Sequence, residues 1–179
     1  MDYQQNALNV DGTPEEAREP QKSKGGGKKT IGGVAYVRDN FGCYIPESCL
    51  KLRVKVRTPK DAIPAISFIR LSPVEHVVAV DLDGNNQIIM VREVTVGLAN
   101  QSQIHPREIY RGAIQNGAVS VMVAHNHPSG NLEPSESDLI ATRRLVEVSK
   151  VIGIAFLDHI IVSAESFTSL RDRYPAYFG

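Results

Sequence analysis

Cysteine is scarce in this sequence. Its 179 residues include 2 cysteines, Cys43 and Cys49, which lie early in the chain and are not spaced as C-x-x-C. Small disulfide-stabilised domains place more cysteines in shorter chains, so a disulfide framework is disfavoured and a reducing compartment fits better.

Long apolar runs are also missing. No stretch reaches the roughly 18 consecutive apolar residues that a membrane-spanning helix needs. The N-terminal segment, residues 1–30, has no apolar core of the kind found in a secretory signal. We therefore expect a cytoplasmic protein that does not contact a membrane.

An excess of one charge sign is absent as well. Lys+Arg and Asp+Glu both total 20, so the formal net charge is zero. Tight, sequence-independent binding to nucleic acid needs many Lys and Arg contacts to phosphate, and the balanced composition argues weakly against it. Direct DNA binding stays an open question at this point.

What the chain does contain divides it into three parts. Residues 1–30 are polar and predict a disordered tail, because they cannot bury enough apolar area to offset their ordering entropy. Residues 31–57 predict a short β extension, with candidate strands over 34–38 and 50–57. Residues 58–179 predict one folded domain, and the hydrophobic content of the chain, 42%, is enough for its core.

The third part alternates between strand and helix patterns. Strands are predicted over 75–83, 87–96, 119–124 and 154–162. Helices are predicted over 60–70, 106–116, 135–152 and 165–171. The turn sequence Asp83-Gly84-Asn85-Asn86 predicts a hairpin between the first two strands. This pattern indicates an α/β fold in which helices flank a mixed, curved sheet.

Three side chains near residue 130 have the pattern of a metal site. His125 and His127 follow a buried strand, and residues two apart in extended backbone point the same way. Asp138 comes in the first turn of the next helix. Two imidazoles and a carboxylate leave one tetrahedral position for water, which is the arrangement of catalytic zinc. We predict Zn²⁺ as the cofactor, since zinc lowers the pKa of such a water to about 7.

The same segment resembles a known family. His125-x-His127-Pro128, followed by Ser135 and Asp138, matches the JAMM (MPN+) metalloprotease motif H-x-H-P-x6-S-x-x-D. The words HPREIYRGAIQNGAVSVMVAHNHPSGNLEPSESD and LDHIIV are similar to the RadC-like branch of that superfamily, over roughly residues 73–170. The resemblance implies a JAMM/MPN-like (cytidine-deaminase-like) fold and a zinc-dependent peptidase or isopeptidase.

The resemblance also implies roles for further residues. Glu75 would be the general base that takes a proton from water and passes it to the leaving amine, with Glu93 as the alternative. Ser135 would donate a hydrogen bond to the developing oxyanion, although it also fits the N-cap of the helix that carries Asp138. His105 and His159 would either orient the metal ligands or serve the structure alone.

Two functions remain open from the sequence. The first is a metallohydrolase that acts on a peptide or protein substrate. The second is a RadC-like accessory protein of DNA repair or of a mobile element, which binds metal and meets repair or replication partners without proteolysis. Longer RadC proteins carry an N-terminal helix-hairpin-helix region, and residues 1–57 show no such motif. A zinc deaminase is disfavoured because its H-x-E and P-C-x-x-C ligands are missing.

Overall fold

A computed structural model of the chain describes residues 28–31, 34–38, 44–46, 54–97 and 104–179. Most of the predicted N-terminal tail, residues 1–27, lies outside these ranges, whereas its last residues, 28–30, belong to a strand. Within the described residues, no helix combines the length and the apolar character that a membrane crossing requires.

The first described residues form a small antiparallel sheet. Its strands, in spatial order, are β1 (Lys28–Ile31), β2 (Val34–Arg38) and β3 (Tyr44–Pro46). The strand predicted over 34–38 is therefore confirmed. The strand predicted over 50–57 lies partly outside the described residues, and its described part makes one isolated bridge, between Lys55 and Gln87.

The predicted fold class is confirmed by a five-stranded mixed sheet flanked by helices. Its strands are β4 (His76–Leu82), β5 (Ile88–Val96), β6 (Ser120–Asn126), β7 (Ala155–Val162) and β8 (Phe167–Ser169). Their spatial order is β5-β4-β6-β7-β8, and all neighbours are antiparallel except β6 and β7, which are parallel. Parallel neighbours need a crossover connection, which a helix supplies here.

The α-helices of the described residues are α1 (Pro59–Ile66), α2 (Pro106–Gln115), α3 (Glu136–Ile152) and α4 (Leu170–Arg173). Short 3₁₀ turns follow α1 at Ser67–Ile69 and α4 at Pro175–Tyr177. The helix predicted over 165–171 is wrong in its first part, because residues 167–169 pair with the end of β7 as β8. The helix proper begins at Leu170, where Ser169 caps it.

Helices cover both faces of the main sheet. Side chains alternate across a strand, so Val78 and Val80 of β4 pack with Ile66 of α1 on one face. On the other face, Val77 and Ala79 belong to a second core. Residues of α2 and α3 complete that core; they include Ile109, Tyr110, Ala113, Ala141 and Leu145. His125, at the end of β6, and Asp138, at the start of α3, lie close together on this face.

A buried ion pair fixes α2 to the sheet. Arg92 of β5 donates to Asp81 of β4 through Nε at 2.7 Å and through Nη2 at 2.8 Å, and Nη2 also donates to the carbonyl oxygen of Ile109 at 2.9 Å. The guanidinium lies against Gly112, where a Cβ atom would overlap it. Helix α2 can approach the arginine this closely because residue 112 has no side chain.

Candidate metal centre

The predicted metal ligands meet where β6 ends and α3 begins, on the face of the sheet that α2 and α3 cover. His125 lies in β6 and is completely buried, and His127 follows the strand and is partly exposed. Asp138 lies in the first turn of α3 and is 8% exposed. The strand fixes the two imidazoles and the helix brings the carboxylate to them.

The distances between the three side chains fit one cation. The Nε2 atoms of His125 and His127 are 3.0 Å apart. Asp138 Oδ1 lies 3.5 Å from Nε2 of His125, and Oδ2 lies 3.6 Å from Nε2 of His127. Ligand atoms about 2.0–2.1 Å from a tetrahedral zinc lie about 3.3 Å from each other. The predicted ligand set thus converges, and these three residues could hold a metal ion.

A chain of hydrogen bonds fixes the tautomer of His125. Thr142 uses its only hydroxyl proton to donate to the carbonyl oxygen of Asp138 at 2.7 Å, so it must accept from Nδ1–H of His159, also at 2.7 Å. Nε2 of neutral His159 then accepts from Nδ1–H of His125 at 2.9 Å. Nε2 of His125 is left with a lone pair directed toward His127 and Asp138.

The loop that follows His127 fixes its imidazole in the same tautomer as that of His125, with the proton on Nδ1. Its Nδ1 lies 2.7 Å from the carbonyl oxygen of Asn131, and a carbonyl can only accept. Nε2 of neutral His127 therefore also carries a lone pair. Two lone pairs 3.0 Å apart repel each other unless a proton or a cation lies between them. The donor set itself thus fits a bound metal.

Ser135 holds the third ligand. Its backbone N–H and its hydroxyl both donate to Asp138 Oδ2, at 2.8 and 2.6 Å, and the backbone N–H of Asp138 donates back to the hydroxyl at 3.2 Å. This is a capping box, as the sequence predicts. Both of these donors bond to Oδ2, so Oδ1 of Asp138 is the oxygen more available to a cation.

Burial and neighbouring charges shift the pKa values at the centre. Burial acts to raise the pKa of Asp138, but the neighbouring imidazoles of His125 and His127 outweigh it and hold that pKa far below its usual range. The Asp138 carboxylate raises the pKa of His127. Burial, with the nearby His125, lowers the pKa of His159 to about 3. His159 is therefore neutral near pH 7, as the hydrogen-bond chain requires.

The two candidate bases lie in different places. Glu75 immediately precedes β4, and its charge is one of the smaller contributions to the raised pKa of His127. Glu93 pairs with Val78 across the sheet, and the side chain of Val78 packs in the core on the face opposite the predicted ligands. Oε1 of Glu93 lies 2.5 Å from Nδ1 of His76. Glu75 therefore stays the predicted base, and Glu93 is engaged elsewhere.

The two remaining histidines of the predicted motif also differ. His105 is the exposed N-cap residue of α2. His159, in contrast, is completely buried and contacts His125 directly. Of the two, the structure brings only His159 into contact with a predicted metal ligand.

Asn126 lies between two predicted ligands, and the sequence assigns it no definite role. Its side chain is buried and forms hydrogen bonds with the backbone of Ser72, Val74 and His76, the segment that contains Glu75. The one local signal is an amide between two metal ligands at the end of an apolar strand. Partners 50 or more residues away are not visible in that pattern.

Known proteins resemble this chain over most of the described domain. A family model described as a RadC-like JAB domain matches residues 56–174. A UPF0758 protein of Geobacillus thermodenitrificans is 39% identical over 134 residues, which are 74% of this chain and 59% of that protein. A UPF0758 protein of Methanospirillum hungatei is 40% identical over 123 residues, 68% of this chain and 55% of that protein. The chain spans little more than half the length of these relatives.

The matched region contains the whole candidate centre. All three ligands, Ser135 and Glu75 fall between residues 56 and 174. The five-stranded mixed sheet flanked by helices agrees with the fold that the family description names. The match covers well over half of the chain, and on these grounds the chain belongs to the RadC-like JAB domain family.

Proposed function

We propose that this protein is a zinc-dependent hydrolase that cleaves an amide bond of a peptide or protein, as a peptidase or isopeptidase. The observation that carries the proposal is the convergence of His125, His127 and Asp138, with the lone pairs of both imidazoles turned toward one point. A structural zinc site would use a fourth protein ligand, whereas three protein ligands leave the fourth coordination position for water.

Zinc is the metal that best suits this donor set. Imidazole nitrogen and carboxylate oxygen are both common zinc ligands, and the absence of thiolates and of further carboxylates among the three disfavours copper(I) and calcium. Bound there, zinc would lower the pKa of a water molecule and polarise the carbonyl group of the amide.

The protein would supply the proton transfers and the orientation. Glu75, whose charge acts on His127, would accept a proton from water and deliver it to the leaving amine. Ser135 would donate to the oxyanion; its hydroxyl now donates to Asp138 and would have to rotate toward the substrate. His159 and Thr142 would keep His125 in the tautomer that presents Nε2.

The test is cleavage of a peptide library by the full chain, with and without a chelator. We expect about one zinc per chain by metal analysis and cleavage that disappears when the metal is removed. Glu75→Gln should keep the zinc and lose about 10²–10⁴-fold in kcat, which is the usual contribution of general acid–base catalysis.

Glu93→Gln is the matched control, because that carboxylate is held by His76 on the other face and should not affect cleavage. Stoichiometric zinc with no cleavage of any library member would contradict the hydrolase and favour a metal-binding module. A protein that binds no zinc would remove both interpretations.

A further inference from the structure

The side chain of Asn126 connects the strand that carries the histidine ligands to the segment that carries Glu75. Its Oδ1 accepts from the backbone N–H of His76 at 2.8 Å. Its Nδ2 donates to the carbonyl oxygens of Val74 at 3.0 Å and Ser72 at 3.3 Å. The amide is 1% exposed, so these bonds form away from competing water.

All three partners of this amide are backbone groups, and two of them flank Glu75 directly. The backbone ladder between β4 and β6 ends at the pair Val77 and His125. Beyond that pair, the N–H of His76 donates its hydrogen bond to Oδ1 of the Asn126 side chain. In a continued ladder, a backbone carbonyl of the neighbouring strand would accept this bond. The amide therefore extends the contact between the two strands to the residues on both sides of Glu75.

The other described contacts of this segment do not connect it to the ligands. Gly97 donates to the carbonyl oxygen of Glu75 at 2.9 Å, which links the segment to the end of β5. The hydroxyl of Ser72 bonds to His76 and to the N–H of Val74, which are contacts within the segment itself. Asn126 is the residue whose neighbours on both sides, His125 and His127, are predicted ligands.

We propose that Asn126 is a positioning residue that sets the distance between the Glu75 carboxylate and the metal ligands, an inference that rests on the proposed function. Two ligands and the backbone around the base are held by one rigid, buried amide. Proton transfer requires the base within hydrogen-bond reach of its water, and a misplacement of about 1 Å costs about 10²-fold in rate.

The first experiment measures kcat and KM of the zinc-loaded full chain for Asn126→Ala, Glu75→Gln and the double variant. Asn126→Ala should lower kcat about 10- to 100-fold with KM changed less than about twofold, since it displaces the base and not the substrate. If Asn126 acts through Glu75, the double variant should be no worse than Glu75→Gln alone.

Two further variants separate positioning from folding. Asn116→Ala is the matched control, because Asn116 also donates from a partly buried amide, to Asp81 at 2.7 Å, at the end of α2. It should leave kcat unchanged. Asn126→Ser, which keeps a short polar group, should lose less kcat than Asn126→Ala and provides a folded variant if the alanine variant does not fold.

The second experiment does not depend on activity. In Co²⁺-loaded protein, the pseudocontact shift of the Glu75 side chain reports its position relative to the metal, and it should change in Asn126→Ala but not in Asn116→Ala. Losses that multiply in the double variant, or an unchanged pseudocontact shift, would overturn the positioning role. If the wild type cleaves nothing while the shift changes as expected, the proposed hydrolase fails and the positioning role stands.

Discussion

At the scale of single residues, the centre depends on side chains that never touch the metal position. His125 presents Nε2 because His159 accepts its other proton, and His159 is fixed in turn by Thr142. Thr142 closes the chain by donating to the backbone of Asp138, so two of the three ligands are connected through two supporting residues.

Replacing the accepting nitrogen of His159 should weaken metal binding. In His159→Leu, the buried Nδ1–H of His125 loses its partner, and we expect the zinc dissociation constant to rise about 10- to 100-fold. Competition with a chromophoric chelator measures this constant. His105→Gln, at the exposed N-cap of α2, is the control. Equal zinc affinities in the two variants would refute the role of His159 in fixing the tautomer of His125.

The pair of His127 and Asp138 predicts a pH dependence of the metal-free protein. The nearby Asp138 carboxylate raises the pKa of His127 above its usual value of 6.5 in the folded state. A raised folded pKa gives stability that is complete below the unfolded pKa and is lost as pH rises through the folded pKa.

The free energy of unfolding of chelator-treated wild type should therefore exceed that of His127→Gln at low pH, and the difference should shrink as the pH rises. Urea denaturation of both proteins between about pH 5.5 and 9 measures this difference. A difference that grows with pH would mean that the histidine is stabilised in its neutral form instead.

Local spacing identifies the predicted ligands, but it does not encode contacts between distant parts of the chain. His125, His127 and Asp138 lie within one strand–loop–helix segment, so strand alternation and the position of the helix start suffice to predict them. The bonds of Asn126 span 50 to 54 residues, and no local pattern encodes them. His159 was named as a candidate from the motif, but its partner Thr142 was not.

At the scale of secondary structure, local chemistry predicts most of the helices and strands. The hairpin turn forms as expected, since the Asp83 carboxylate accepts from the N–H groups of Asn85 and Gln87 at 2.8 and 2.9 Å. Gly153 ends α3 in the left-handed conformation, with φ at 78°. Strand β8 was missed because three residues are too few for a periodic pattern, and pairing with β7 decides their conformation.

The packing of α2 on the sheet should not tolerate a larger residue at position 112. A Cβ atom in Gly112→Ala would overlap the guanidinium of Arg92, which Asp81 and Ile109 hold in place. We expect the free energy of unfolding to fall by about 1–3 kcal/mol. Urea denaturation measures it, and Gly84→Ala, in an open turn with nothing near the new Cβ, is the control. Equal stability of the two variants would contradict the close approach.

At the scale of the whole molecule, contacts distant in sequence connect the segments around the centre. The loop between His127 and Asp138 is tied to the C-terminal segment by the ion pair of Glu133 and Arg173, at 2.8 and 2.6 Å. The strand order and the single parallel pair likewise depend on the fold as a whole. Alternating strand and helix patterns predict the class, but they do not predict which strands become neighbours.

Metal binding should stabilise the folded domain as a unit. A ligand that binds only the folded state at about 100 times its dissociation constant adds about 2.7 kcal/mol to the free energy of unfolding. Thermal unfolding should therefore occur at a higher Tm in zinc than in chelator, and His127→Gln should reduce the difference. Magnesium, which prefers oxygen ligands, is the control salt. Identical melting curves in zinc and chelator would argue against a preformed site.

The segment that runs from β6 through the crossover helix α3 to β7, residues 120–162, contains every predicted ligand and both supports of His125. The candidate base, Glu75, lies outside this segment, immediately before β4. In the proposed hydrolase, holding the cation and accepting the proton of water would thus depend on separate pieces of chain, and a substitution of Glu75 would leave the cation-binding piece intact.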